Sequence, residues 1–315
     1  MKHVLVTGGA GFIGSNLVAD LLKNYRVTII DNFDDFYSRK QKDLNLESIK
    51  KSDNLTLIEG DIRKTSDLER AGEVDVIVHL AAKAGVRPSI EDPVLYQDVN
   101  VSGTQTLLEF ARNKGIMQFV FASSSSVYGI NENVPWNEEE KLLPISPYAS
   151  TKLSGEMLGH VYSKLYGIRF LALRFFTVYG PGQRPDLAIH KFFKSKIADK
   201  PIPVFGNGST SRDYTFVRDT VKGIAGAIEY NKTNFEIINL GNHKTVTLAR
   251  LIESIESICG KKAIINRLPD QPGDVPQTYA NISKAQSLLG YDPSTELHSG
   301  LQEFYKWFRE NHSKI

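Results

Sequence analysis

A glycine-rich turn near the start of the chain constrains the fold more than any other feature. An apolar run at residues 3–7 leads into three glycines spaced by three, Gly8, Gly11 and Gly14. Gly8 permits a tight turn, Gly11 lets the backbone approach a pyrophosphate, and Gly14 allows a helix to pack closely on the strand. The N-terminus of that helix would offer backbone amides to the anion. The turn therefore predicts a strand, a loop and a helix that together bind a dinucleotide.

A carboxylate follows the second predicted strand at Asp31, where it can accept hydrogen bonds from an adenosine ribose. Its charge would repel a 2′-phosphate, and Asn32 stands beside it instead of an Arg, so NAD is favoured over NADP. After the third strand, Asp61 and Ile62 are placed to flank the adenine, although Asp61 could equally cap a helix. The residues therefore indicate NAD as the cofactor.

Short β-branched runs alternate with helical stretches over about the first 180 residues. The runs are nearly continuous in apolar residues, as in strands that helices cover on both faces. This alternation is typical of a doubly wound parallel sheet, so we predict an α/β, Rossmann-like fold. The predicted strands are residues 3–7, 26–30, 55–59, 74–80, 118–122 and 169–174, followed much later by 236–240.

Beyond Gly182 this alternation loosens, and turn clusters at 201–203 and 206–209 interrupt shorter elements. We therefore expect an NAD-binding domain over residues 1–180, to which a helix and a strand at about 217–241 return. A smaller C-terminal lobe over 181–315 would bind the substrate. Further helices are predicted at residues 217–229, 248–259, 283–289 and 299–310.

Composition excludes several classes of function. Lys and Arg outnumber Asp and Glu by only 38 to 36 and are scattered, which argues against a nucleic-acid partner. The first apolar run is too short for a signal peptide or a membrane span. Cys259 is the single cysteine, and no Cys or His pair has zinc-ligand spacing, so we expect no metal and a cytoplasmic location.

Two residues of a predicted helix have the spacing of a proton-transfer pair. Tyr148 and Lys152 are four apart, just after Pro147 can open the helix, so they share one face. A free phenol has a pKa near 10 and is a poor base at neutral pH. An ammonium group and a positive nicotinamide ring would both favour the phenolate.

A run of serines at 123–126 ends the fifth strand, at the edge of the sheet where open α/β folds bind ligands. A hydroxyl there can hydrogen-bond a reacting oxygen and pass its proton to Tyr148. A polar loop would explain four serines, but not their position before a helix that carries Tyr148 and Lys152.

Taken together, these segments resemble the extended short-chain dehydrogenase/reductases, in the group of nucleotide-sugar epimerases and dehydratases. The resemblance covers essentially the whole chain. Besides the glycine turn, the serine run and the Tyr–Lys pair, the matching segments are residues 79–82, 127–129, 174–181, 211–214 and 271–275.

The resemblance separates the possible reactions at the serine run. Sugar 4,6-dehydratases carry Thr-Asp-Glu where this chain has residues 124–126, and decarboxylating relatives carry a Glu at the position of Ser126. This chain has no carboxylate there and so resembles a 4-epimerase. Tyr148 would then take the proton of the sugar 4-hydroxyl, helped by Ser124 or Ser125, while NAD accepts and returns the hydride. A decarboxylase, a dehydratase and a non-catalytic NAD-binding scaffold remain as alternatives.

The resemblance also implies contacts to the cofactor and to a UDP-sugar. Lys152 would hold the nicotinamide ribose. Further cofactor contacts are implied at Phe12, Ile13, Leu80, Ala81, Ala82, Lys83 and Asn100. The uridine would lie along Val204 and Phe205, and its ribose would contact Asp274. Arg212 suits a diphosphate, although it could instead pair with Asp213.

Different residues favour different sugars. Thr278 stands where glucose-restricted UDP-galactose 4-epimerases have a bulky Tyr, which leaves room for an N-acetyl group. Residues 85–89 and 174–186 are more similar to UDP-glucuronate 4-epimerases. There Thr177, Arg87 and Arg184 could compensate a buried carboxylate, beside Ser125 and Ser126. We expect UDP-glucuronate first, and UDP-N-acetylglucosamine and UDP-glucose remain open.

The same resemblance implies a homodimer. Relatives pair through two helices, here predicted at 92–114 and 148–166, which would form a four-helix bundle. Apolar positions there could face a second copy or could cover the sheet of a monomer. They are Val99, Leu107, Leu108, Phe110, Leu158 and Val161.

Overall fold

Seven parallel strands form the main sheet of the computed structural model, which describes residues 1–269 and 275–314. The strands along the chain are β1 (His3–Thr7), β2 (Arg26–Asp31), β3 (Leu55–Glu59), β4 (Val76–His79), β5 (Gln118–Ser124), β6 (Arg169–Phe175), β7 (Thr177–Tyr179), β8 (Ile202–Phe205), β9 (Ser211–Phe216), β10 (Phe235–Leu240), β11 (Thr245–Thr247) and β12 (Ile265–Leu268).

Helices connect and cover these strands. They are α1 (Phe12–Leu21), α2 (Arg39–Leu46), α3 (Thr65–Glu69), α4 (Val86–Glu91), α5 (Pro93–Gln97), α6 (Gly103–Lys114), α7 (Pro147–Tyr166), α8 (Ala188–Ile197), α9 (Val217–Glu229), α10 (Leu248–Cys259), α11 (Ser283–Leu289) and α12 (Leu297–Asn311). A π-helical turn, Asp98–Ser102, joins α5 to α6, and a 3₁₀ turn, Ser125–Val127, follows β5.

The strand order of the main sheet is β3-β2-β1-β4-β5-β6-β10, so the order reverses between β1 and β4. In β1, Leu5 lies opposite Thr28 of β2 and Ile77 of β4. The carboxyl ends of β1 and β4 diverge into helices on opposite sides, which opens a crevice at this switch point. The predicted Rossmann-like α/β fold is confirmed.

Alternate residues of each strand enter two apolar cores, because successive side chains of a strand point to opposite faces. Val4 and Val6 pack with α1 and α9, whereas Leu5 packs with α3, α6 and α7. Leu107, Leu108 and Phe110 are at most 2% exposed in this second core. These three residues therefore cover the sheet, which is one of the two uses that the sequence left open for them.

A second region forms around small sheets. β9 pairs parallel with β7 and antiparallel with β11, and β8 pairs with β12. Their apolar side chains pack with α8, α10 and α12 in a third core. The sequence predicted α9, α10 and α11 with the bounds observed, but it did not predict α8 or these short strands. Strands of three to six residues on small, half-buried sheets lack the long apolar runs that mark the main sheet.

Among the residues that the structure describes, no helix is both long enough and apolar enough to cross a membrane.

Candidate active site

A cavity of about 470 Å³ opens at the switch point of the sheet, above the carboxyl ends of its strands. Its wall contains the predicted cofactor residues Gly8, Gly11, Phe12, Ile13, Gly14, Asp31, Asn32, Asp61, Ile62, Leu80, Ala81, Ala82, Lys83, Tyr148 and Lys152. Ser124, Ser125, Ser126, Thr177 and Arg184 line it as well. The structure thus brings most of the predicted site residues to one cavity.

The glycine turn has the geometry of a dinucleotide cradle. Gly8 has a φ of +73°, and a Cβ there would lie 2.7 Å from the backbone nitrogen of Ala81. A Cβ on Gly14 would lie 2.3 Å from the Gly8 carbonyl oxygen. Gly11 precedes the first residue of α1 and provides no side-chain cap, so no cap satisfies the amides of the first turn. Larger residues would close this approach, and the residues present therefore fit a pyrophosphate.

Asp31 is held at the cavity wall by backbone amides. Its carboxylate accepts hydrogen bonds from Ala10 N at 3.1 Å and from Phe33 N at 2.9 Å. The buried ammonium of Lys42 lies 3.7 Å from the same carboxylate and donates to the Asp34 carbonyl at 2.8 Å. Lys42 lines the cavity but was missed, because a lysine in a short polar helix carries no motif signal.

Asn100 is predicted as a cofactor contact from the family resemblance, and the structure shows where it lies. It does not line the cavity but lies behind the wall, 3% exposed. Its side-chain oxygen accepts from Lys83 N at 2.8 Å, and its amide nitrogen donates to the Lys83 carbonyl and to Thr151 Oγ1, both at 3.0 Å. Asn100 therefore positions the wall segment around Lys83, whose ammonium pairs with Asp34 at 2.8 Å.

Tyr148 and Lys152 lie on α7, in a helix as predicted. Pro147 is the first residue of the helix, and the Ser146 hydroxyl caps it by accepting from Ala149 N at 3.2 Å. The Lys152 ammonium nitrogen lies 5.9 Å from the centre of the Tyr148 ring. It donates a hydrogen bond to the Ala122 carbonyl at 2.7 Å, which ties the helix to β5.

The protonation states of this pair differ from the expectation. Burial lowers the pKa of Lys152 to about 7, against the opposing effect of the Glu156 carboxylate. Burial also raises the pKa of Tyr148, although the Ser124 hydroxyl and the Arg184 guanidinium act to lower it. The protein groups alone thus do not depress the Tyr148 pKa. Two cations were expected to favour the phenolate, an ammonium group and the nicotinamide ring. The second of these, the oxidised nicotinamide ring of bound NAD, is left to lower the Tyr148 pKa.

The serine run divides into separate roles. Ser124 faces the Tyr148 hydroxyl and acts to lower its pKa, and Ser124 Oγ lies 3.1 Å from Ser126 Oγ. Ser123 instead donates to the Glu156 carboxylate at 2.5 Å, inside the protein. Ser125 lines the cavity. Of the two serines predicted to assist proton transfer, Ser124 is the one that acts on the Tyr148 pKa.

A buried ion pair lies one helical turn beyond Lys152. The Glu156 carboxylate accepts from Arg174 Nε at 2.9 Å and from Arg174 Nη2 at 2.8 Å, and both residues are at most 1% exposed. Arg174 Nη1 also donates to the Tyr128 hydroxyl at 2.9 Å. The Glu156 role was missed, although its spacing of four from Lys152 places it on the same helix face.

A smaller pocket of about 150 Å³ adjoins the cavity and shares Ser125, Ser126, Thr177 and Val86 with it. Arg212 and Thr278 also line this pocket, together with Trp136. Two of the predicted substrate residues of the second region, Arg212 and Thr278, therefore meet the serine run at one place.

Asp213 is the residue with which Arg212 could pair, and its carboxylate has backbone partners. The Asp213 carboxylate accepts from the backbone nitrogens of Asn242, His243 and Ala280 at 2.6, 3.1 and 3.2 Å. It is fully buried, and burial raises its pKa to about 6. Neighbouring residues of a strand point to opposite faces, so Arg212 is directed away from Asp213 and towards the pocket.

Arg184 lies in the larger cavity, where its guanidinium is fixed by a bidentate pair with Asp186. Nε and Nη2 lie 2.9 Å from the two carboxylate oxygens. The guanidinium also lies 5.5 Å from the centre of the Phe36 ring. The sequence placed Arg184 near the substrate but did not foresee the Asp186 pair.

Some predicted substrate residues lie elsewhere. Val204 is 2% exposed and does not line either pocket, because its side chain faces the third core. Phe205 points the other way, and the Arg87 guanidinium lies 5.1 Å from its ring centre. Asp274 lies outside the described residues.

Known proteins with similar sequences and folds support one family. Residues 5–304 match the family described as GDP-mannose 4,6 dehydratase. A UDP-glucuronate 4-epimerase of Thermodesulfobacterium geofontis is 39% identical, over 99% of this chain and 97% of the relative.

Two solved structures extend this comparison. UDP-glucuronic acid 4-epimerase from Bacillus cereus, in complex with UDP-glucuronic acid and NAD, is 41% identical with a TM-score of 0.93, over 98% of this chain and 99% of the other. UDP-N-acetylglucosamine 4-epimerase from Methanobrevibacter ruminantium M1 is 33% identical with a TM-score of 0.90, over 98% of each chain. This protein therefore belongs to the GDP-mannose 4,6-dehydratase-like family of extended short-chain dehydrogenase/reductases, whose members include these UDP-sugar 4-epimerases.

Proposed function

We propose that the protein is an NAD-dependent UDP-sugar 4-epimerase and that its preferred substrate is UDP-glucuronate. The observation that carries the proposal is the end of β5, where Ser124 faces the Tyr148 hydroxyl and residues 123–126 contain no carboxylate. Such a site transfers a proton and a hydride but has no loop carboxylate for elimination. The similar enzymes from T. geofontis and B. cereus agree with this reaction.

In this proposal Tyr148 accepts the proton of the sugar 4-hydroxyl, and the Ser124 hydroxyl, rotated from Ser126 towards Tyr148, donates a hydrogen bond that stabilises the phenolate. NAD, when bound, supplies a reversible hydride acceptor at carbon 4. Lys152 holds the nicotinamide ribose and keeps α7 against β5 through Ala122. The 4-keto sugar turns over in the adjoining pocket and is reduced on its other face. No net redox change results.

The glycine turn and Asp31 are the proposed binding site for the pyrophosphate and the adenosine ribose of NAD. Arg212 is proposed to bind the diphosphate of the substrate, since it lines the smaller pocket beside Thr278. We retain Asp274 as a proposed contact of the uridine ribose. The corresponding division is a cofactor domain at 1–180 with 217–241, and a substrate lobe in the rest of 181–315.

Thr177 and Arg184 support the choice of a uronate. Both line the cavity that contains Tyr148, and Arg184 contributes a fixed guanidinium there. A carboxylate excluded from water needs charged donors of this kind. UDP-N-acetylglucosamine is the second candidate, because Thr278 is a small residue in the adjoining pocket and the M. ruminantium enzyme is similar.

We also propose a homodimer formed through α7. Met157, Val161 and Leu165 are spaced by four, so they form one stripe on the helix, and they are 49%, 46% and 66% exposed. Covering this stripe with the same stripe of a second copy would bury it symmetrically. Light scattering at several concentrations tests this proposal, and Val161→Glu should then shift the protein towards monomer. The cytoplasm remains the proposed location.

The decisive experiment incubates the purified protein separately with UDP-glucuronate, UDP-N-acetylglucosamine and UDP-glucose and follows the products by NMR. We expect UDP-galacturonate from the first substrate, with no accumulation of NADH. Release of carbon dioxide with UDP-xylose would instead identify a decarboxylase, and loss of water a dehydratase. NAD binding without any product would favour the scaffold alternative. Tyr148→Phe serves as the inactive control.

A further inference from the structure

A buried chain of hydrogen bonds runs from the glycine turn to the catalytic helix, and His79 is at its centre. Thr7 Oγ1 lies 2.7 Å from His79 Nδ1, and His79 Nε2 lies 3.0 Å from Thr104 Oγ1. Thr104 Oγ1 donates to the Asn100 carbonyl at 2.5 Å. All four residues are at most 3% exposed. No step proposed above uses His79.

The Asn100 carbonyl, at one end of this series of hydrogen bonds, decides which group donates and which accepts in each bond. The Asn100 carbonyl can only accept, so the Thr104 hydroxyl donates to it and must itself receive the hydrogen from His79 Nε2. Nδ1 then carries the lone pair and accepts from the Thr7 hydroxyl. The Thr7 oxygen in turn accepts from Ala81 N at 3.3 Å. Every bond therefore agrees with one neutral tautomer of His79, protonated on Nε2.

The environment of the ring supports the neutral form. Burial, with a smaller contribution from Lys152, lowers the pKa of His79 to about 3. The ring packs against Phe119 and Phe121, with centroid distances of 6.1 and 5.7 Å. The histidine is therefore neutral near neutral pH, and it acts through geometry rather than through proton transfer.

The far end of the chain reaches the catalytic helix. The Asn100 side chain donates to Thr151 Oγ1, and the Thr151 hydroxyl donates to the Tyr148 carbonyl at 2.8 Å. Asn100 lies in the π-helical turn, where Gly103 N bonds to the Asp98 carbonyl five residues back. This wider turn is a local feature that is frequent at functional sites.

We propose that His79 is a positioning residue for the reaction. Its neutral ring spans the distance between Thr7, which precedes the glycine turn, and the π-helical turn that holds the first turn of α7. The ring thus sets the position of Tyr148 relative to the cofactor cradle. The kinetic part of this inference rests on the proposed function.

Two half-replacements test each side of the ring separately. His79→Asn keeps an acceptor near the Nδ1 position for Thr7 but loses the donor to Thr104. His79→Gln keeps a donor near the Nε2 position for Thr104 but loses the acceptor for Thr7. We expect each to retain NAD and to lower kcat about 10- to 100-fold, as for a small misplacement of catalytic groups, with KM nearly unchanged. The matched control, His298→Gln, changes an exposed histidine and should leave kcat unchanged.

A double-variant cycle separates positioning from general weakening. His79→Asn and Thr104→Val break the same bond, so the double variant should lose no more kcat than the worse single variant. The pH profile should keep its shape in every variant, because His79 does not titrate in the working range. If kcat stayed within about twofold of wild type in both half-replacements, the catalytic groups would not have been misplaced. That result would overturn the proposal.

An NMR measurement tests the chain without any substrate. In the full-length protein labelled with ¹⁵N-histidine, the signal that is lost in His79→Gln identifies the His79 ring. If this variant does not fold, the signal that changes in Thr104→Val identifies the ring instead. We expect Nε2 protonated and Nδ1 bare between pH 6 and about 9, since the ring stays neutral when buried. An Nδ1-protonated or doubly protonated ring overturns the proposal. A wild-type protein that inverts none of the three UDP-sugars would refute the proposed function, whereas the tautomer would still decide the hydrogen-bond chain.

Discussion

The Ser124 hydroxyl at the end of β5 faces the Tyr148 hydroxyl at the start of α7 and acts to lower its pKa, against the effect of burial. The two residues come from different layers of the fold, and both line the cavity that also contains the glycine turn. Together they place a proton acceptor beside the proposed nicotinamide position.

Tyr148→Phe should remove nearly all turnover of UDP-glucuronate while it preserves cofactor binding. Loss of a general base typically costs about 10² to 10⁴-fold in rate, and the missing hydroxyl leaves the packing of the ring in place. We would measure kcat by NMR and bound NAD by absorbance after denaturation. Activity within a few-fold of wild type would exclude Tyr148 from the proton transfer.

Ser124→Ala and Ser125→Ala should differ in kind. Ser124 contacts the reacting hydroxyl, so its loss should lower kcat, by about 10²-fold if the serine assists proton transfer. Ser125 lines both pockets, so its loss should chiefly raise KM. Steady-state kinetics on both variants checks this difference. If Ser125→Ala produced the larger fall in kcat, Ser125 would be the assisting serine.

Arg184→Leu should reduce kcat/KM for UDP-glucuronate by about 10- to 100-fold, the cost of a charged hydrogen bond, and change UDP-glucose turnover far less. The reason is that only the uronate carries a carboxylate for this guanidinium. Arg212→Leu is the matched comparison, because a lost diphosphate contact should weaken every UDP-sugar alike. Equal losses for both sugars in Arg184→Leu would contradict the assignment of a carboxylate site.

Lys152 should make stability depend on pH. Its pKa is about 7 in the folded protein and 10.5 ordinarily, so between these values the unfolded chain binds more protons. Stability therefore rises with pH in this window, and the cost of burying the ammonium is largest below pH 7. Urea unfolding of Lys152→Met should show a shallower rise from about pH 7 to 9.5, since the variant lacks this proton.

The control for that measurement is Lys164→Met, an exposed lysine on the same helix. It should reproduce the slope of the wild type. If Lys152→Met also kept the wild-type slope, burying the Lys152 ammonium would not lower the stability of the fold.

Arg174→Met should destabilise the fold strongly, by about 3–5 kcal/mol, because it leaves the Glu156 carboxylate buried without its partner. The double variant with Glu156→Gln should be less destabilised than the sum of the two single changes, since it removes the unpaired charge. Chemical denaturation measures all three. A loss below about 1 kcal/mol for Arg174→Met, the value of an exposed pair, would show that water reaches the ion pair.

Much of the site could be predicted from the sequence, because it depends on interactions between residues that are close together in the chain. The spacing of Gly8, Gly11 and Gly14, the apolar strand runs and the helix start at Pro147 are local signals, and each reports a backbone conformation. Because parallel strands end at one edge of the sheet, the serine run and the glycine turn could be expected to meet there. The Tyr148–Lys152 pair required only the helical repeat.

The tertiary structure decided which partners those residues have. Ser124 rather than Ser125 contacts Tyr148, Asn100 lies behind the wall, and Asp186 fixes Arg184; none of these follows from sequence spacing. The Tyr148 pKa also depends on burial, which is set by distant elements. Val204 faces a core because its short strand pairs with β12, more than fifty residues later.

The sequence by itself therefore determined the fold class, the cofactor cradle and the catalytic pair, because each is encoded by residues close together in the chain. Only the tertiary structure determined the hydrogen-bond directions, the ion pairs and the protonation states, because these depend on side chains that meet from separate strands and helices.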